Sequence, residues 1–139
     1  MNRGMIAPCG MNCSVCIGYL RKKNRCPGCN SMEYIPSSYC RKCIIKHCPE
    51  KKENTEFCYK CKKFPCLRMK NLDKRYRLRY RTSLINNLLF IKENGIREFL
   101  KKEKKKWTCK KCNSIISIHR KVCLKCNNEY EVEGNYDNN

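Results

Sequence analysis

The residues best suited to chemistry in this chain are its cysteines, fifteen among 139 residues. Four of them form two CxxC pairs separated by ten residues, and these are Cys109, Cys112, Cys123 and Cys126. Two such pairs offer four thiolates to one tetrahedral ion, which is how proteins hold structural zinc. The spacing predicts a zinc ribbon whose coordination sphere is closed, so its ion would be structural and not catalytic.

The other eleven cysteines lie in the first half of the chain, mostly in CxxC or similar spacing. These candidate metal ligands are Cys9, Cys13, Cys16, Cys26, Cys29, Cys40, Cys43, Cys48, Cys58, Cys61 and Cys66. With the ribbon they predict three to four Zn²⁺ ions per chain. Eleven ligands do not divide into sites of four, so the pairing stays open. Two sites would leave three cysteines over, and three sites would need either His47 as a twelfth ligand or a bridging thiolate. An iron–sulfur cluster in this half is an alternative, because thiolates suit both.

Metal binding is favoured over disulfide formation by the expected compartment. Residues 1–8 contain no apolar segment of the length that a secretory signal needs, and no stretch approaches a membrane span. We therefore expect a cytoplasmic protein without membrane association, in which thiols stay reduced. Leu, Ile, Val and Phe make up only 27 of 139 residues beside a net charge of +20. That combination is typical of disorder unless bound metal contributes folding energy.

Basic residues in the middle of the chain indicate a second kind of site. Fifteen thiolates around four divalent ions lower the formal charge by seven, from +20 to +13, so the chain stays strongly basic. The candidate nucleic-acid-binding residues are Arg75, Arg77, Arg79, Arg81, Tyr76, Tyr80, Lys101, Lys102 and Lys105. Arginine and lysine side chains bind phosphates, and aromatic rings stack on bases. This combination favours RNA or another nucleic acid as the partner. The alternative is that the two tyrosines belong to the core and the charges form a solvated face.

Four segments would position these residues. Residues 1–66 hold eleven cysteines and few large apolar residues, which predicts irregular cysteine knuckles without a hydrophobic core. Residues 67–107 have no cysteine and carry apolar residues at helical spacing, which predicts a basic helical region. Residues 108–128 form the ribbon, and residues 129–139 are a polar tail. The expected fold class is a small, metal-stabilised α+β protein.

Local signals refine these elements. Short helices are expected near Cys13 and Tyr39, and Ile115, Ile116 and Ile118 predict a short hairpin in the ribbon.

Single residues indicate where elements begin and end. Thr82 or Ser83 is expected as the N-cap of a helix, and Gly95 as the left-handed residue that ends it. Asn113 and Asn127 follow the two ribbon knuckles, where a left-handed backbone is common and Asn tolerates it. His119 is expected to be a surface or packing residue and not a metal ligand, because four cysteines already complete a tetrahedron.

The cysteine series resembles a known family. The run MIAPCGMNCSVC at 5–16 is similar to the opening of an uncharacterised cysteine-rich prokaryotic family, domain of unknown function 3795. The likeness continues through CPGC at 26–29, CRKCIIKHC at 40–48 and CYKCKKFPC at 58–66. Longer members also carry a helical stretch and a ribbon, similar to Ser83–Gly95 and Trp107–Cys126, whereas many have a longer insertion than the Tyr19–Cys26 loop. The resemblance implies cysteine clusters and metal binding, and no known activity.

Catalysis is not indicated by the residues. With two histidines and 12 acidic residues, no acid–base pair or nucleophile–base arrangement stands out. The Cys9-x3-Cys13-x2-Cys16 spacing occurs in radical S-adenosylmethionine enzymes, but this chain is too short for their barrel. The leading hypothesis is a zinc-binding, non-enzymatic module that binds nucleic acid through basic helices. The alternatives are an adaptor for an acidic protein partner, and an iron–sulfur or thiol redox protein.

Overall fold

The computed structural model describes residues 1–51 and 55–130. Its five helices in this part are α1 (Ile17–Leu20), α2 (Ser38–Arg41), α3 (Leu67–Tyr80), α4 (Leu84–Asn94) and α5 (Ile96–Lys106). Short 3-10 turns occupy Arg3–Met5, Cys13–Val15 and Cys58–Lys60. The expected helices near Cys13 and Tyr39 are thus confirmed as the second of these turns and as α2.

Strand structure is scarce in the described ranges. It consists of three isolated antiparallel bridges, Ile6 with Asn12, Thr108 with Ile115, and Val122 with Glu129. The hairpin expected at Ile115, Ile116 and Ile118 is reduced to the bridge between Thr108 and Ile115. The protein is therefore small and mostly helical, and the α+β class is not confirmed. None of the helices in the described part has the length and apolar character needed to cross a bilayer.

Helices α3 and α4 are joined by a tight corner. Arg81 ends α3 in the left-handed conformation, with φ 49° and ψ 40°. Ser83 is the N-cap of α4, and its Oγ accepts a hydrogen bond of 3.1 Å from the Asn86 backbone N–H. The expected capping residue is therefore confirmed as Ser83. Thr82 is buried beside it.

One buried carboxylate holds this corner together. Asp73 on α3 is only 5% exposed. It accepts hydrogen bonds from Ser83 Oγ at 2.7 Å, from the Ile85 backbone N–H at 3.0 Å and from Arg77 Nε at 2.8 Å. A buried charge needs such a set of donors to offset its lost hydration. Asp73 thereby fixes α3 against the start of α4.

Gly95 joins α4 to α5 without a spacer. Its N–H donates to the Ile91 carbonyl at 2.8 Å, and its own carbonyl accepts from Phe99 N–H at 3.2 Å. The expected positive φ is confirmed at 85°, but ψ is 161° and not the left-handed helical value. The difference arises because Gly95 ends one helix and begins the next, so the chain turns sharply there, and this φ favours glycine.

The core is shared by all parts of the described chain. Ile6, Val15 and Phe57 of the front half are at most 2% exposed. They pack in one cluster with apolar residues of α4 and α5 and with Trp107 at the start of the ribbon. The expectation that residues 1–66 lack a hydrophobic core is therefore wrong. Their few apolar residues are buried against partners distant in sequence, and no local pattern reveals such partners.

Close backbone approach brings the front half onto α4. A Cβ at Gly10 would lie 2.7 Å from the Leu84 carbonyl oxygen, so only glycine fits there. Asn87 Nδ2 donates to the Gly10 carbonyl at 3.0 Å.

A second contact joins the front half to α5. Asn12, 1% exposed, donates through Nδ2 to Glu103 Oε2 at 3.1 Å, and Glu103 is itself 4% exposed. Burial raises the pKa of the Glu103 carboxyl above its usual value, although Asn12 and nearby lysines partly oppose the shift.

The variant Glu103→Gln should gain stability relative to the wild type as the pH rises. Because its pKa is raised, the Glu103 carboxyl holds its proton more tightly in the folded chain than in the unfolded chain. The stability that Glu103 contributes is therefore present below the pKa of the unfolded state, and it is lost as pH rises through the pKa of the folded state. Glutamine keeps an oxygen acceptor for Asn12 and carries no charge. We expect the difference in thermal midpoint between variant and wild type to grow as pH rises above the ordinary pKa of a glutamate carboxyl. A difference that is constant with pH would contradict this assignment.

Candidate metal centre

The four ribbon cysteines meet at one point. Their sulfurs all lie within 4.8 Å of one another, and the group is Cys109, Cys112, Cys123 and Cys126. Cys109 and Cys123 are buried, while Cys112 and Cys126 are partly exposed. The site therefore lies against the core on one side and near solvent on the other.

Sulfur–sulfur distances test whether this group fits an ion. Cys109 Sγ lies 3.7 Å from Cys126 Sγ, and Cys112 Sγ lies 3.6 Å from Cys123 Sγ. Four sulfurs placed tetrahedrally at about 2.3 Å from a central ion are separated by about 3.8 Å. Two of the sulfur pairs thus have nearly the separation expected at a tetrahedral ion, and the remaining separations do not exceed 4.8 Å. The group can hold a metal ion.

The two knuckles share one backbone geometry. In the first, Asn113 N–H donates to the Cys109 carbonyl at 2.9 Å, and in the second, Asn127 N–H donates to the Cys123 carbonyl at 2.9 Å. Asn113 has φ 60° and Asn127 has φ 57°. The left-handed backbone expected at both asparagines is confirmed. Each turn directs a pair of thiols to the same point.

A hydroxyl favours the thiolate form in this group. Ser114 Oγ lies 3.1 Å from Cys123 Sγ and 3.0 Å from Cys112 Sγ. This hydroxyl lowers the pKa of the Cys123 thiol to about 6 and also lowers the pKa of Cys112. Because the thiolate is the form that binds metal, Ser114 prepares the site. The sequence analysis did not identify Ser114, since its position between the knuckles has no signal in the spacing.

The eleven front cysteines are arranged differently. All are free thiols, and none is fully exposed. Among the residues that the structure describes, no three of them bring their sulfurs within 4.8 Å of one another as the ribbon does. Their assignment as metal ligands stays a prediction.

The two histidines make other contacts. His47 Nε2 lies 2.8 Å from the Arg41 carbonyl oxygen. His119 Nδ1 accepts a hydrogen bond from the Ile17 backbone N–H at 3.3 Å, and its ring meets the Tyr80 ring edge-on at 4.6 Å. Burial lowers the pKa of His119. The expected packing role of His119 is confirmed.

The basic residues of α3 fall into two groups. Arg77 is partly buried and paired with Asp73, so it supports the fold. Tyr76 and Tyr80 are partly buried and contact each other edge-on at 5.1 Å, and burial raises the pKa of Tyr76 well above its usual value. Their rings pack against the core, and their role in base stacking stays a prediction.

Other arginines of this region reach solvent. Arg75, Arg79 and Arg81 are exposed, and Arg75 Nη1 donates to the Tyr39 hydroxyl at 2.6 Å.

Lysines gather where α5 meets the ribbon. Lys101 and Lys105 are exposed and line an open cleft of about 550 Å³, while Lys102 is also exposed but lies over the Phe90 ring at 4.3 Å. The full lining of the cleft is Lys101, Lys104, Lys105, Thr108, Cys109, Lys110 and Asn113. Lys110 was not predicted as a member of this group from the sequence, because its approach to α5 depends on how the ribbon folds back along that helix.

Comparison with known proteins relates the front half to one family. A family model described as a protein of unknown function (DUF3795) matches residues 5–71, and no curated protein or solved structure matches the chain. The match spans all eleven front cysteines and ends within α3, before the lysine cleft and the ribbon. Residues 5–71 of this chain are thus similar to the DUF3795 family, which supports the resemblance seen in the order of its cysteines.

Proposed function

We propose that this protein is a zinc-stabilised, non-enzymatic module that binds the phosphate backbone of nucleic acid, and that RNA is its preferred partner. The observation that carries the proposal is the lysine cleft between α5 and the ribbon. In this proposal the ribbon ion is zinc, because four thiolates in a closed tetrahedron suit it. The ion shapes one wall of the cleft and takes no part in a reaction.

The cleft has the charge and form of a phosphate site. Four lysines line it and no acidic side chain does. Lys101 pairs with Glu98 at 2.8 Å, but both side chains are more than half exposed, and such a surface pair is weak enough for a phosphate to replace Glu98. Lysine ammonium groups act as point charges for phosphate, without reading bases. Binding should therefore depend on the phosphate backbone and the shape of the nucleic acid and not on its base sequence.

The fold holds the cleft rigid. Phe99 and Glu103 anchor the opposite face of α5 in the core. Cys109, in the cleft wall, belongs to the metal group and is 2% exposed. Lysines on a helix fixed in this way lose little freedom beyond that of their own side chains when they bind. The exposed arginines of α3 form a second, separate basic strip.

The test compares two charge-matched variants of the full, zinc-loaded chain in binding a fluorescent RNA hairpin. The first replaces the cleft residues Lys101, Lys104, Lys105 and Lys110 with Gln, and the control replaces the exposed residues Lys22, Lys23, Lys62 and Lys92 with Gln. We expect the cleft variant to bind on the order of 100-fold more weakly and to reduce the slope of log affinity against log salt by about three.

The control variant should keep most of the affinity of the wild type. No measurable affinity of the wild type for RNA or DNA at low salt, or an equal loss in both variants, would contradict the proposal. If the protein bound a DNA duplex more tightly than the RNA hairpin, DNA would replace RNA as the proposed ligand, and the cleft would remain the proposed binding site.

A second candidate function is an adaptor for an acidic protein partner. It is favoured by large apolar side chains that are exposed in the front half, including Met32, Tyr34, Tyr39 and Ile44. Exposed apolar side chains near basic residues suit an interface with an acidic protein. A co-purifying protein that survives nuclease treatment would support this candidate over nucleic-acid binding.

A further inference from the structure

Four cysteines of the front half surround a small cavity of about 30 Å³. They are Cys48, Cys58, Cys61 and Cys66, and no other cysteine lines it. The electrostatic neighbours of the Cys58 thiol include the other three thiols of this set. The set is separate from the ribbon, whose four cysteines form their own group.

Each thiol is held by a defined backbone feature. Cys58 begins a 3-10 turn, and the Cys61 N–H donates to its carbonyl at 3.0 Å, which is the compact turn of a metal knuckle. Cys66 is the N-cap of the 14-residue helix α3, where the positive end of the helix dipole favours a thiolate. The Cys48 N–H donates to the Ile45 carbonyl at 3.3 Å.

Positive groups are placed to balance the charge of the thiolates. Arg68 Nη1 lies 3.9 Å from Cys48 Sγ, and Lys51 also lines the cavity. Four thiolates around one divalent ion keep a net negative charge, and donors of this kind stabilise the ligands of metal sites. On the rim, Lys63 pairs with Glu50 at 2.9 Å, which ties the segment after Cys48 to the segment after Cys61.

Part of the cavity wall is apolar. Ile45, Phe64 and Met69 line it, and Met69 is 1% exposed. Four thiols facing a small apolar space have few hydrogen-bond partners there, so an ion gives them the interaction that the walls do not. The size of the cavity matters as well. A volume of about 30 Å³ exceeds the roughly 10–15 Å³ that a cavity needs to admit one water molecule, so the space admits a single ion.

We propose that Cys48, Cys58, Cys61 and Cys66 bind one tetrahedral divalent ion of the zinc class, at a second site independent of the ribbon. In the described part of the chain only the ribbon brings three or more cysteine sulfurs within 4.8 Å of one another, so binding draws these four sulfurs closer. The site assigns one set of four among the eleven front cysteines. It does not depend on nucleic-acid binding, which involves other residues.

The test counts zinc ions on the intact chain by native mass spectrometry after expression with zinc. A variant with both Cys58→Ser and Cys61→Ser should carry one zinc fewer than the wild type, and a variant with Cys112→Ser and Cys126→Ser should also carry one fewer. Combining all four substitutions should remove two. An unchanged zinc count in the first variant would overturn the proposal.

A measurement on the wild type keeps the test valid if the variants fail to fold. Alkylation of the zinc-loaded chain, followed by peptide mapping, should find Cys48, Cys58, Cys61 and Cys66 shielded together. A chelator should expose them as one set. Alkylation of any of the four at the rate of a free thiol while the chain is zinc-loaded would overturn the site, and so would iron with acid-labile sulfide bound to them.

Discussion

Removing metal with excess of a strong zinc chelator at neutral pH is expected to unfold the protein. Structural zinc contributes roughly 10–16 kcal/mol per site in small peptides, which equals or exceeds the whole stability of most domains, about 5–15 kcal/mol. The ribbon group is part of the core here, with Cys123 fully buried and Cys109 2% exposed. Far-UV circular dichroism should therefore show loss of helical signal together with loss of the cooperative thermal transition.

The control for this experiment is the same chelator saturated with zinc beforehand, which should leave the thermal transition intact. Adding zinc back after chelation should restore it, provided the thiols are kept reduced. A thermal midpoint that is the same with and without chelator would show that the core is stable without metal.

The second large effect is expected from Trp107→Ala. Trp107 is 1% exposed and is the largest fully buried side chain in the described residues. Its carbonyl accepts from Ile116 N–H at 2.8 Å, and its N–H donates to the Glu103 carbonyl at 2.9 Å, so it joins α5 to the ribbon. Truncation of a buried aromatic side chain leaves a cavity and costs about 3–5 kcal/mol. Urea unfolding in excess zinc measures this loss as a change in the free energy of unfolding.

A matched control is Leu78→Ala on α3, where the side chain is 58% exposed. Its removal should change the free energy of unfolding by less than about 0.5 kcal/mol, as for most surface positions. Equal losses in the two variants would mean that Trp107 does not link the helices to the ribbon.

Features fixed by neighbouring residues were predictable from the sequence. The ribbon spacing, the left-handed Asn113 and Asn127, and the N-cap at Ser83 each depend on a few adjacent residues. A CxxC pair forces a narrow turn, and the residue after it must adopt a backbone that Asn tolerates. A hydroxyl residue directly before an apolar helical pattern similarly signals a cap.

Features that depend on distant partners were not predictable. Arg77 was assigned to nucleic acid, but it pairs with Asp73, whose burial results from contact between α3 and the start of α4. The core of the front half was missed because Ile6 and Val15 are buried only once α4 and α5 pack over them. The contribution of Lys110 to the cleft likewise depends on the path of the ribbon. Single-residue signals carry no information about such contacts.

The front cysteines fall between these two cases. The spacing predicts that they are metal ligands, but it does not indicate which of them would share an ion. Cys48 lies ten residues before Cys58, and only the fold places both around one cavity with Cys61 and Cys66.

The metal and acid-labile sulfide content of the protein, together with its visible spectrum, tests the zinc-stabilised scaffold directly. The protein should be purified without oxygen and without a metal-binding tag. We expect at least two zinc ions per chain, one for the ribbon and one for the Cys48 site, with no sulfide and no visible absorbance. Protein that is folded without zinc, or that contains iron with sulfide and absorbs visible light, would contradict a zinc-stabilised scaffold.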